Sequence, residues 1–287
     1  MMQISLQRGY CSSHLQDCLL LVLSTLIFAS VVGCGGGFAT KDPERMSEYP
    51  KRYVKEGQRI QADPVSYIKN MYARCEALEQ YRLMFYRQER LGLFGRMGPM
   101  EEIRACFRRD PFSVKFEWDD PERDYYESVY VAGENNDKLI VRERKGLLGF
   151  APQVRVVNLS DPVIWGKSKN PVTDFGLAQV TRRTLLPFED PEVAAVMTIK
   201  YAGLVELGPK SGPAHYLLIE RPKTEGLRYT RQDFYIDAET GLPAGTDLWL
   251  PSGKLDARYR YSEVDTKATF TDADFRLSKD HPQVVSK

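Results

Sequence analysis

The chain has 287 residues, with 40 Lys and Arg against 39 Asp and Glu and a formal net charge of +1. Because nucleic-acid-binding domains are usually strongly basic, this balance argues against nucleic acid as a partner. Aromatic residues make up 11% of the chain and, together with its β-branched runs, favour a sheet protein.

An apolar run at residues 19–34, LLLVLSTLIFASVVGC, ends in Cys34 and is followed by three glycines. The run is shorter than the roughly 20 residues that span a hydrocarbon core. A small residue directly before the cysteine completes the pattern of a bacterial lipobox, so we expect residues 1–33 to be a lipoprotein signal peptide and Cys34 to carry the lipid. A plain signal peptide and a transmembrane anchor remain alternatives, since Arg8 is the only basic residue before the run and Asp17 stands next to it.

The predicted anchor places the protein in the cell envelope, attached to a membrane through its N-terminal lipid and facing the periplasm. Gly35 stands where some lipoproteins carry an Asp retention signal, which favours the outer membrane. After cleavage and lipidation only Cys75 and Cys106 remain as thiols, in a compartment that permits disulfides. They can pair or stay reduced, because Cys75 falls on the apolar face of a predicted helix and Cys106 on the more polar face of a predicted strand.

Residues 34–62 mix glycines, charges and Pro without an apolar period, which predicts a flexible tether that does not pack. Order is expected from Asp63 and Pro64, an N-cap followed by Pro at the first helical position. Apolar side chains then recur at spacings of three and four, which predicts an amphipathic helix to about Glu79. These side chains are Val65, Ile68, Tyr72, Cys75 and Leu78.

From Tyr81 the apolar period changes to two, which predicts about ten antiparallel strands interrupted by two or three helices. The predicted strands are residues 81–90, 100–109, 113–118, 126–131, 138–143, 153–159, 196–207, 215–220, 232–237, 244–250 and 254–263. Thr173 is expected to cap one helix, and Asp190 to start a second, short one before Pro191. This order predicts an α+β fold in which a large curved antiparallel sheet packs helices on one face, followed by a disordered tail at 277–287.

The chain contains none of the HExxH, GxSxG, CxxC or Walker motifs. We therefore predict no catalytic residue, no metal site and no cofactor. An envelope hydrolase is the less favoured alternative. It would require His215, or an acidic pair such as Asp119 and Asp120, to face a nucleophile in a cleft.

Arginines are dense between residues 81 and 109, on two adjacent predicted strands. Guanidinium groups suit both carboxylates and phosphates. The stripe is therefore either a salt-bridged outer face of the sheet or a contact surface for anionic lipid headgroups or a carboxylated ligand. The candidate anion contacts are Arg82, Arg87, Arg104 and Arg108.

Six segments in one order resemble the bacterial domain-of-unknown-function family 1571, over about residues 64–276. They are FYRQER at 85–90, EIRACFRRDPFSVKFEW at 102–118, YVAGENNDKL at 130–139, KNPVTDFGL at 169–177, DFYIDAETGLP at 233–243 and YRYSEVDTKATFTDADF at 259–275. One departure is Lys169-Asn170, where the family often has Arg-His. The pattern is also similar to the superfamily of LolA, LolB and RseB-type envelope proteins. Its shared element is a turn after Asp237, in which Gly241 takes positive φ and Pro243 opens the next strand.

The resemblance implies that residues 63–276 form an unclosed, LolA-like half-barrel with helices on its concave face. It implies a non-catalytic envelope lipoprotein that binds an apolar ligand, a lipid or an acylated protein, in that concavity. The alternative is a structural or sensory protein that binds an envelope protein partner. A shift of one residue in the strand alternation would exchange the inward and outward side chains. The candidate ligand-lining residues are Ile68, Tyr72, Leu83, Phe85, Val114, Phe116 and Trp118.

Overall fold

The computed structural model of the chain describes residues 40–41, 49–92, 95–144, 153–208, 210–221 and 228–278. The strands are β1 (Thr40–Lys41), β2 (Gln80–Leu91), β3 (Arg96–Met97), β4 (Glu101–Arg108), β5 (Ser113–Glu117), β6 (Tyr125–Val131), β7 (Leu139–Glu143), β8 (Val154–Val157), β9 (Thr198–Glu206), β10 (Pro213–Glu220), β11 (Arg231–Asp237), β12 (Pro243–Trp249) and β13 (Leu255–Asp265). The helices are α1 (Lys51–Ala62), α2 (Pro64–Glu76), α3 (Asp161–Ile164), α4 (Leu177–Leu185) and α5 (Pro191–Val196).

Twelve strands form one antiparallel sheet in the order β1-β9-β10-β11-β12-β13-β2-β4-β5-β6-β7-β8, and β3 pairs with β2 beside it. The chain builds this sheet as two meanders, one from β2 to β8 and one from β9 to β13. The last strand pairs with the first long one, with Tyr261 opposite Phe85 and Arg260 opposite Tyr86. Since β1 and β8 are edge strands that do not pair with each other, the sheet is open, and the predicted unclosed antiparallel sheet is confirmed.

The period of two in β2 separates the two faces of the sheet. Tyr81, Leu83 and Phe85 are buried in one core cluster with side chains of α2 and α4, and we call this the inner face. Arg82 and Met84 alternate with them and point to the outer face. Burial of the inner apolar side chains beneath the helices is the main favourable free-energy term of this packing.

Local signals placed most elements correctly. Asp63 caps α2 as predicted, because its side chain accepts a hydrogen bond from the Ser66 amide at 3.0 Å. The turn after β11 is also confirmed: Asp237 Oδ1 accepts from the Thr240 amide at 2.7 Å, Gly241 has a φ of 65° and Pro243 begins β12.

The predicted cap of α4 was wrong. Thr173 lies in a short 3-10 turn at Val172–Asp174, after which Phe175 is extended and Gly176 has a φ of 134°. The helix begins only at Leu177, whose amide donates to the Tyr81 hydroxyl at 2.9 Å. This N-terminus is therefore capped by a side chain from a distant strand.

The predicted tether at 34–62 was wrong for its last part, because residues 51–62 form α1. Tyr53, Gly57 and Ile60 are buried on one face of this helix, spaced four and three residues apart. Gly57, in the middle of that face, lets Tyr201 of β9 approach the helix closely but adds no apolar side chain. The apolar period of α1 is therefore not visible in the sequence. Thr40 and Lys41 pair with β9.

The ends of the chain are only partly described. Cys34 and the predicted signal peptide at 1–33 lie outside the described residues, as does most of the predicted tail at 277–287. That tail does not begin at residue 277, because the Ser278 amide donates to Glu127 Oε2 at 3.0 Å. Within the described ranges, none of the helices combines the length and apolar character that a membrane span needs.

The contact of α1 with β9 supplies the first prediction. A Cβ atom on Gly57 would lie 2.4 Å from the Tyr201 hydroxyl oxygen, which is itself 3.0 Å from His215 Nδ1. We expect Gly57→Ala to lower the free energy of unfolding in urea by about 1–3 kcal/mol, as overpacking does. At an unhindered helical site the same substitution stabilises by about 1 kcal/mol, so the sign of the change is the test. Gln58→Ala, at the exposed next position, is the control, and a stabilised Gly57→Ala variant would contradict the packing described here.

Candidate functional site

A cavity of about 360 Å³ lies between the inner face and a segment at residues 161–176 that crosses it, here called the cover segment. Its wall includes residues from β12, β13, β2 and β5 to β8 as well as the cover segment and α4. In a flat sheet β12 and β8 would lie about 34 Å apart. Residues of both strands can line one cavity of this size because the sheet is curved around it.

Aromatic rings form the floor of the cavity. Phe85 lies at the centre, 5.5 Å from the ring of Tyr261 and 5.3 Å from that of Phe175. Phe116 meets Phe175 edge to face at 4.8 Å and Trp118 at 6.0 Å. Phe85, Tyr261 and Phe116 come from three strands, so the floor joins the two halves of the sheet. Phe175 packs against this floor from the cover segment. Such a wall favours apolar ligand groups.

Buried polar contacts attach the cover segment to the sheet. The Lys169 ammonium lies 2.9 Å from the Asp256 carboxylate, and both side chains are buried. The Lys169 amide also donates to Glu89 at 3.2 Å, and Glu89 accepts a second hydrogen bond, of 2.5 Å, from the Tyr259 hydroxyl. Burial, followed by the Glu89 charge, raises the pKa of Tyr259 well above its ordinary value, so this phenol remains a donor. The cover segment is therefore held at its middle, with its ends free of these contacts.

Three of the seven predicted lining residues, Phe85, Phe116 and Trp118, lie on the cavity wall. The other four are on the same side of the sheet but in its core: Ile68, Leu83 and Val114 are fully buried, and Tyr72 packs against them. The strand candidates thus lie on the inner side of the sheet, a phase that the sequence had left open, and the covering role of the helices over part of the inner face was not visible in the sequence. Contact of these residues with a ligand stays a prediction.

The four arginines proposed as anion contacts do not share one face. Arg87 is on the inner face, lines the cavity and pairs with Glu101 at 2.7 Å. The other three lie on the outer face in ion pairs, with Asp265 for Arg82, Asp119 for Arg104 and Asp272 for Arg108. This arrangement agrees with a salt-bridged outer face for three of them.

His215 is buried beneath α1, with Nδ1 at 3.0 Å from the Tyr201 hydroxyl and Nε2 without a hydrogen-bond partner. Burial lowers the pKa of His215 to about 4. It does not line the cavity, so His215 does not supply the arrangement that a hydrolase would require there. Cys75 and Cys106 are free thiols. In the described part of the chain, no group of three or more His, Cys, Asp and Glu side chains could hold a metal ion.

Sequence reasoning missed polar residues of the cavity wall, above all Glu89, Tyr259 and Arg221, and also Lys169, which attaches the cover segment. One signal was present but was not used: Glu89 continues the alternation of Phe85 and Arg87, which places a carboxylate on the same face of β2. A buried carboxylate requires partners, and the structure supplies them from segments distant in the sequence.

A family model described as a protein of unknown function, DUF1571, matches residues 78–284. The chain belongs to this family. The match includes every strand from β2 to β13, the cover segment and all the cavity contacts described above. A comparison with curated protein sequences finds no match.

Several solved structures are similar to this chain at low identity. A crystal structure of MucB is 19% identical, and the alignment covers 75% of this chain and 63% of that one, with a TM-score of 0.43. This chain therefore spans less than two thirds of the MucB chain. The Mycobacterium tuberculosis lipoprotein LppX is 8% identical over 72% of this chain and 98% of its own, with a TM-score of 0.37. A LolA superfamily protein from Nitrosomonas europaea is 8% identical over 74% and 96%, with a TM-score of 0.25.

The attachment of the cover segment can be tested through its buried ion pair. We expect Lys169→Met to lower the free energy of unfolding by about 3 kcal/mol, because it removes the buried cation that pairs with the buried Asp256 carboxylate. Among the described residues, this leaves Asp256 the largely exposed Arg228, at 3.2 Å, as its ion-pair partner. Lys210→Met is the matched control, since the Lys210–Glu102 pair is exposed on both sides and should contribute less than about 1 kcal/mol. Equal losses for the two variants in urea denaturation would show that the cover segment is not held in this way.

Proposed function

We propose that this protein is a non-catalytic binding protein that holds an apolar ligand, the acyl part of a lipid or of an acylated protein, in the cavity under the cover segment. The observation that carries this proposal is an open cavity whose floor is aromatic. Its volume of about 360 Å³ falls within the roughly 300–1,000 Å³ of small-molecule sites. Each methylene group that enters the cavity would contribute about 0.8 kcal/mol.

The cavity itself favours this function over the alternative of a structural or sensory protein. A sheet that only packs a protein partner needs no space between its inner face and its own helices, since interiors are normally close-packed. Here buried side chains fill the core under α2, and the space lies under the cover segment and beside α4. Binding of a protein partner is therefore the second candidate function. It would be favoured if the purified protein bound no lipid.

The cover segment provides a route of entry in this proposal. Its end near β8 carries apolar side chains in contact with solvent: Ile164 is 73% exposed and Trp165, which also lines the cavity, is 47% exposed. The ion pair of Lys169 holds the middle of the segment, so displacement of the end that carries Trp165 would open the cavity without breaking that pair. Arg155 lies over the Trp165 ring at 5.4 Å, a contact that such a movement would give up.

Attachment to a membrane is the other part of the proposal. The lipobox pattern at 19–34 supports a lipid on Cys34, with the domain on the periplasmic side and the outer membrane favoured. An anchor of this kind would keep the cavity near its source of acyl chains.

Occupation of the cavity is tested with a substitution that fills it. Ser128 lines the cavity from β6, and Ser128→Phe should reduce uptake of a fluorescent fatty acid by the purified full chain at least tenfold, because the added ring takes up the space that the acyl chain needs. Ser252→Phe, in the exposed turn before β13, should bind like the unmodified protein. Native mass spectrometry of the same samples would show whether acyl species are retained on purification. If the unmodified chain takes up no fatty acid by either measurement, the proposed function is wrong and the protein-partner candidate takes its place.

Lipidation is tested separately. Cells grown with an alkyne-labelled fatty acid should label the protein, and Cys34→Ser should lose both the label and the association with membranes, because the thiol that accepts the lipid is gone. Cys106→Ser should keep both. Label retained by Cys34→Ser would exclude the lipobox interpretation.

A further inference from the structure

One end of the cavity carries a positive charge that no carboxylate of the described residues neutralises. Arg221, which directly follows β10, lines the cavity, and its Nη2 donates to Gln232 Oε1 at 2.7 Å. Among the described residues, no carboxylate lies within ion-pair distance of its guanidinium, and its Nε is buried without a hydrogen-bond partner. Burial lowers the pKa of Arg221 from its ordinary value, but an arginine remains protonated in proteins.

The other described cations of the cavity wall differ from Arg221 in this respect, because each has a carboxylate partner. The pairs are Arg87–Glu101 at 2.7 Å, Arg155–Glu143 at 3.1 Å, Lys167–Asp124 at 2.5 Å and Arg183–Asp174 at 2.5 Å. Because the two charges of such a pair largely cancel, the pair attracts an anionic ligand only weakly. Arg221 is thus the place on the described wall where an anion meets a charge that is not already compensated.

Hydrogen bonds hold the side chain of Gln232, the partner of Arg221, in one orientation. The Gln232 amide nitrogen donates to the hydroxyls of Thr184 at 2.9 Å and Thr246 at 3.1 Å. With its nitrogen occupied in this way, Gln232 turns its oxygen to Arg221. The guanidinium keeps further N–H donors for a ligand, since an arginine has five. Gln232 and Thr246 also line the cavity, next to the apolar side chain of Leu248.

An uncompensated charge in a partly buried site has a free-energy cost, which an anionic group on a ligand would offset. The apolar floor around Phe85 lies in the same cavity. Resting on the proposed function, we infer that the ligand is an amphiphile with one anionic headgroup, whose carboxylate or phosphate is bound by Arg221 while its chain lies on the aromatic floor.

The test compares ligands that share a chain and differ in the headgroup. Dodecanoate, dodecyl phosphate and dodecanol, each below its aggregation concentration, are titrated into the full chain, and the tryptophan fluorescence is followed, since Trp118 and Trp165 line the cavity. We expect at least one anion to bind tenfold or more tightly than dodecanol. Arg221→Gln should abolish that preference, because a hydrogen bond to a charged group contributes roughly 10- to 100-fold in affinity. The dissociation constant for dodecanol should change by less than about twofold, since its headgroup carries no charge.

Controls separate this inference from the proposed function. Arg82→Gln removes the same charge from the outer face and should keep the preference, and Arg221→Lys should restore part of it. The two anions show whether the site favours a carboxylate or a phosphate. Dodecanol that binds as tightly as both anions overturns the role of Arg221 and leaves the apolar cavity standing, whereas no binding of any of the three overturns the proposed function. If Arg221→Gln does not fold, the comparison of headgroups on the unmodified chain decides the question.

Discussion

The pairing of β13 with β2 is the contact on which the rest of the structure depends. It joins two meanders that are each local in sequence, and it places Tyr261 opposite Phe85 at the centre of the inner face. The aromatic floor of the cavity therefore contains residues from both ends of the domain. Pairing of this range carries a high loop-closure entropy, which local meanders do not. Until β13 has paired, neither meander can form the floor alone.

The inner face is divided into a filled part and an open part by what lies above it. Under α2 and α4, Leu83 and Val114 are buried in close packing. Under the cover segment the same strands leave space, because that segment meets the sheet through polar contacts and the ring of Phe175 and not through a continuous apolar stripe. Lys169 reaches down to Asp256, and its amide reaches Glu89. Buried polar groups left without these partners would be costly, so the sheet and the cover segment require each other.

The two faces of β2 and β4 serve different purposes. On the outer face Arg82 and Arg104 are partly exposed and paired with carboxylates, contacts that contribute little to stability. On the inner face the single inward arginine, Arg87, is paired within the cavity wall. Among the described cations of the cavity wall, Arg221 is the one without such a partner, and it directly follows β10. On the described cavity wall, charge is thus balanced locally except at Arg221.

The sequence by itself determined most strands and α2, because a period of two and an N-cap such as Asp63 are local signals. It left open which face of β2 and β5 points inward. It also supported the family and the open antiparallel sheet. It did not reveal α1, whose buried face depends on Gly57 meeting Tyr201 of a distant strand. Nor did it reveal the cavity, whose polar residues come from separate segments and acquire a function only by their distances to one another. Local patterns report how a segment meets solvent and core, whereas the space between segments is decided by tertiary packing alone.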